Sequence, residues 1–92
     1  MLVGRIEIEC DIGNFAFETA PRKDITEVIV ALREYFNIIL LEDTEDIPCV
    51  AEAFEQLHTQ PFSKAIHKNW FFTDLPRRMH IVVYKLPERH LV

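Results

Sequence analysis

Residues 5–17 read RIEIECDIGNFAF. Ile6, Ile8, Cys10 and Ile12 fall on one side of this stretch and Arg5, Glu7, Glu9 and Asp11 on the other, the alternation of a strand with one wetted face. Gly13-Asn14 then offers a two-residue turn, because glycine reaches positive φ without a Cβ clash. Phe15 and Phe17 resume the alternation. With Gly13 and Asn14 as the loop, Ile12 faces Phe15 and Cys10 faces Phe17, so both strands of the hairpin present apolar residues to the same side. Such a sheet needs a cover, and the chain that follows carries helical patterns to supply one.

Asp24 and Glu27 have the spacing of a capping box. Behind them Ile25, Val28, Ile29, Leu32, Tyr35 and Phe36 recur every three or four residues, the stripe of an amphipathic helix, with Arg33 and Glu34 outside it. Ile38 to Leu41 is a continuous aliphatic run read as a third strand, although four residues equally permit the helix to run on to Leu41. Pro48 suits a first helical turn, and Val50, Ala53, Phe54 and Leu57 make a second buried stripe. Phe62, Ile66 and Trp70 are spaced by four and predict a short third helix, with a strand starting at Trp70 as the alternative. Asp74-Leu75-Pro76 reads as a turn before a last strand, Met79 to Leu86. The expected fold is a single α+β domain over residues 1–92: a two-layer sandwich with an N-terminal hairpin and two main helices on one face of a small mixed or antiparallel sheet. Its expected core is Ile6, Ile8, Cys10, Ile12, Phe15, Phe17, Val28, Ile29, Leu32, Phe36, Ile39, Val50, Phe54, Leu57, Ile81 and Val83. Phe17 should lie under a helix, and its truncation to Ala should cost about 3 to 5 kcal/mol if it is buried.

With 92 residues, 49% hydrophobic and 27% charged, the composition is that of one globular core, free of low-complexity or disordered bias. Two cysteines, Cys10 and Cys49, are too few for a disulfide framework and suit a reducing, cytoplasmic setting. Arg5, Glu7 and Glu9 interrupt the N-terminus where a signal peptide needs an apolar stretch, and no run reaches the length of a membrane span. The net charge of −5 hides an asymmetry. Met1 to Glu55 holds 13 acidic and 4 basic residues, whereas Gln56 to Val92 holds 2 acidic and 6 basic.

No phosphate loop, nucleophile elbow or zinc-protease helix is present, and the reading is therefore non-catalytic, with no cofactor. His58, His67, His80 and His90 lack the i, i+4 spacing of two ligands on one helix, so a metal site would have to be assembled by folding. Cys10 and Cys49 read as small hydrophobes rather than nucleophiles. Two charged features remain. Glu42, Asp43, Glu45, Asp46, Glu52 and Glu55 could offer a negative surface to a protein partner with a basic surface, or to a second copy of the chain. On that reading, reversing Glu42, Asp43, Glu45 and Asp46 to Lys weakens association and leaves the fold little changed. Lys64, Lys68, Trp70, Arg77 and Arg78, within a basic and aromatic segment that includes His67, Phe71, Phe72, Lys85 and Arg89, have the composition of a single-strand nucleic-acid binder. The pI near 5.3 argues against that second use. The functional expectation is a small protein-binding module, an inhibitor or regulator, with nucleic-acid binding as the alternative.

Overall fold

The structure, a computed structural model, describes residues 1–87. Arg89 and His90 lie outside the described residues. The elements are β1 (Leu2–Cys10), β2 (Gly13–Glu18), α1 (Ile25–Leu40), a 3-10 turn (Thr44–Asp46), α2 (Pro48–Gln56), β3 (Ile66–Phe72) and β4 (Leu75–Lys85). The four strands form one antiparallel sheet in the order β2-β1-β4-β3. Both helices cover the face carrying Ile6, Ile8, Met79, Ile81 and Ile66, and these residues share one buried cluster with Val28, Leu32, Phe36, Val50 and Phe54. This is the α+β arrangement that the alternation and the two stripes predict.

The N-terminal hairpin exists with a different turn. Ile6 pairs with Phe17, Ile8 with Phe15 and Cys10 with Gly13, so Asp11 and Ile12 form the loop and Gly13, at φ +137, closes it. Each position is displaced by four residues from the expected partner. An even slip keeps every side chain on its original face, which is why the apolar pattern fits both registers equally. Ile12 moves from core to turn and is 59% exposed. Phe17 does lie under α1, stacked on Tyr35 with ring centres 4.7 Å apart, yet it is only half-buried, as are Cys10, Phe15 and Ile39. The full cost expected for truncating Phe17 does not apply to a ring in that position.

The third strand at Ile38–Leu41 is not formed; α1 runs through Leu40 and ends on Leu41 in the left-handed region at φ 54. Leu32, Phe36 and Leu40 are spaced by four and all buried, so prolonging the helix extends its stripe, while Ile38 points outward at 70% exposure. The helix begins as its cap predicts, with Asp24 accepting a hydrogen bond from the Thr26 amide. Gly4 lets α1 settle on the sheet: a Cβ there would stand 2.5 Å from Val28 and 2.9 Å from Leu32.

The expected third helix is also replaced by strand. Ile66 and Trp70 are four apart, an interval that puts two residues on one face of a helix and equally on one face of a strand. Ser63 at φ 70 breaks any helix starting at Pro61. The last strand begins at Leu75 rather than Met79, and the turn before it is Thr73-Asp74, both at positive φ. Leu2, Val3, Leu40, Ala53, Ile66 and Met79 join the core beyond the expected set. No helix among the described residues is long and apolar enough to cross a membrane.

Candidate functional site

The acidic segment is a structured connection clamped between α1 and β4. Buried Thr44 anchors it, its amide donating to Asn37 Oδ1 at 3.1 Å and its hydroxyl accepting from Arg33 Nε at 3.3 Å. The same Arg33 places Nη2 2.6 Å from Glu45. From the other side Arg77, only 5% exposed, reaches Asp11 at 3.4 Å and Glu42 at 3.2 Å and lies 4.4 Å over the Phe72 ring. Glu52 accepts from Gln56 and sits 3.8 Å from Lys68.

Half of the six carboxylates are therefore matched within the chain. Asp43 caps the 3-10 turn through the Glu45 amide and remains exposed. Asp43, Asp46 and Glu55 make no ion pair among the described residues and point their charge to solvent. Reversing Glu42 and Glu45 would set lysines against Arg77 and Arg33, so a fourfold reversal would act on the fold as well as on association.

Beside Asp43 and Asp46 runs a groove of about 670 Å³ between the acidic connection and the end of β3. Its walls are apolar: Leu41, Ile47 and Pro48 on one side, Trp70, Phe71 and Phe72 on the other. On the groove side Leu41 is 88% exposed and Phe72 44%, and the neighbouring hairpin residue Leu75 is open as well, while the Phe71 ring alternates to the other face of β3. Trp70 packs inward on Phe36 at 5.8 Å, with its indole N–H buried and without a hydrogen-bond partner among the described residues. An apolar trough with a carboxylate rim suits a ligand that combines a cation with an apolar group.

The basic and aromatic residues do not share a surface. Arg77 and Trp70 lie on the helix-covered face, Arg77 spent on its carboxylates and Trp70 on Phe36. Lys68 is half-buried beside Glu52. Arg78 is on the opposite, open face across from Glu9 and Asn69, and exposed Lys64 lies in the connection before β3. The charge asymmetry along the sequence is thus largely interleaved in space.

Pairing across strands does what sequence spacing conceals for the histidines. His67 faces His80, and His80 faces Glu7, in one row on the open face. The imidazole centres are 4.3 Å apart, Glu7 stands 3.6 Å from His80 Nδ1, and Arg5 holds the other Glu7 oxygen at 3.0 Å. No three His, Cys, Asp or Glu side chains among the described residues form a ready metal cage. His58 is exposed beyond α2. Cys10 and Cys49 are free, half-buried thiols on the helix side, so the sheet separates them from this histidine row.

No protein-family model matches the chain, and neither a curated protein nor a solved structure matches it.

Proposed function

We propose that the protein is a small binding module, an inhibitor or regulator, that receives a partner in the groove beside Asp43 and Asp46. The observation that carries this reading is the coincidence of exposed Leu41 and Phe72 in one groove with Asp43 and Asp46, which no cation among the described residues matches. Exposed aromatic and aliphatic side chains supply contact area, and the two carboxylates select the sign of what approaches. The partner segment is one that flanks an apolar anchor with Lys or Arg.

A photo-cross-linking side chain at Leu41 or Phe72, in the cell that naturally makes the protein, tests this. A defined adduct is expected at both positions and not at Val30, which is exposed on the outer side of α1. Asp43→Asn with Asp46→Lys should weaken the adduct while keeping the cap that Asn can also provide. Adducts that ignore the charge change, or none at the groove positions, would overturn the reading; an adduct with a second copy of the chain would replace it by self-association.

A further inference from the structure

The groove leaves the other face of the sheet unused, and there the strand pairing assembles a row of titratable side chains with metal-binding chemistry. We propose that His67 and His80 form a two-imidazole site for a divalent transition ion that accepts nitrogen ligands at a right angle, Ni²⁺ or Cu²⁺, with Glu7 as the positioning carboxylate.

The geometry of the two rings carries the proposal. Imidazole nitrogens about 2.0–2.1 Å from one ion place each ring centre about 3.2 Å from it; the two centres are then about 4.5 Å apart for a right angle and about 5.2 Å for a tetrahedral one. The observed 4.3 Å is close to the first. Tetragonal coordination with nitrogen and oxygen ligands is the preference of Cu²⁺ and Ni²⁺. The rings need no backbone rearrangement to reach it, because His67 and His80 are direct partners in adjacent antiparallel strands.

Glu7 supplies what a ligating histidine ordinarily has behind it. Its Oε2 faces Nδ1 of His80 at 3.6 Å, while Arg5 fixes Oε1 from the other side. A proton held on Nδ1 by this carboxylate leaves Nε2 with its lone pair free for the ion. Closing 3.6 Å to hydrogen-bond length is a small side-chain adjustment. Arg5 and Arg78 are balanced by Glu7 and Glu9 around the row, so a cation meets no net positive field. The depression over these residues is open, about 510 Å³, and water completes the coordination sphere. A site with two protein ligands is an exchangeable one, in keeping with the absence of a three-ligand cage among the described residues.

The probe is Ni²⁺ alone, added to untagged protein at neutral pH, because it does not oxidise Cys10 or Cys49. Calorimetry should give one ion per chain, and paramagnetic broadening of backbone amide signals should centre on Glu7, His67 and His80. His67→Gln and His80→Gln should each abolish saturable binding, whereas His58→Gln and His90→Gln should leave it intact. Glu7→Gln should weaken binding about tenfold or more through the orientation of His80. Broadening centred elsewhere, or binding that survives loss of both His67 and His80, would overturn the site. The wild-type broadening map decides the question even if a variant folds poorly, and an unchanged affinity in Glu7→Gln would remove the positioning role.

Discussion

Arg77 shows how a charge read as a phosphate contact becomes part of the fold. It lies 5% exposed between Asp11 and Glu42, and a guanidinium in that position is tolerated only while its carboxylates stay ionised beside it. Asp11→Asn combined with Glu42→Gln should lower the urea-unfolding free energy by about 3 kcal/mol, and adding Arg77→Met should recover most of that, since an apolar replacement of a whole buried pair is close to neutral. Failure of the third substitution to recover stability would show that Arg77 contributes more than a satisfied charge. Tyr84 gives a pH test. Its hydroxyl donates to Glu18, and that hydrogen bond, followed by burial and the Glu18 charge, raises its pKa above the ordinary 10.0 against the opposing effect of Arg5. A raised phenol contributes stability that is fully present below the unfolded value and lost as pH rises through the folded one. In a Tyr35→Phe background, tyrosinate absorbance should therefore develop late, and Glu18→Gln should move it earlier.

At the level of elements, the tip of the β3–β4 hairpin is the place where local chemistry and conformation disagree. Thr73 and Asp74 sit at φ 47 and 67, a loop shape that favours Asn-Gly and disfavours a β-branched residue. Thr73→Asn with Asp74→Gly should raise stability by about 1 kcal/mol without altering the sheet, measured as a higher thermal midpoint. No gain would mean that Thr73 and Asp74 make compensating contacts. The same disagreement explains what was legible in the sequence. The β1 alternation, the Asp24 cap, the α1 stripe and Pro48 at the start of α2 are each signalled by a local preference that the packing keeps. The hairpin register, Ile38–Leu41 and Pro61–Trp70 were illegible for a shared reason: intervals of four satisfy two periods at once, and only Gly13, Leu41 and Ser63 at positive φ settle the choice. Of those three, a Leu at a left-handed helix end is the least readable, because Gly or Asn is the expected residue there.

For the whole molecule, the decisive property is where opposite charges meet. Residues far apart in the chain pair in space, Arg77 with Asp11 and Glu42, and Lys68 with Glu52, so the basic part of the sequence never forms a continuous positive surface among the described residues. A labelled single-stranded oligonucleotide should accordingly show no measurable binding at moderate salt, and Trp70→Ala should disturb the fold through lost packing on Phe36. Tight binding that weakens steeply with salt and survives with intact structure would contradict this. The acidic rim of the groove could be seen in the sequence as composition, but the matching of Glu42, Glu45 and Glu52, and the histidine row, depend on contacts between distant residues that no spacing encodes. The centre of the sheet has a consequence of its own. Ile6 and Ile81, near opposite ends of the chain, are direct partners there, so β1 waits for β4 before its second edge is satisfied. During vectorial synthesis on the ribosome β1, β2 and α1 emerge long before β4, leaving the strip of apolar surface that Met79, Ile81 and Val83 will cover open to chaperones. The domain should consequently reach its native state only once β4 has emerged, and slowly for its size, as long-range pairing demands.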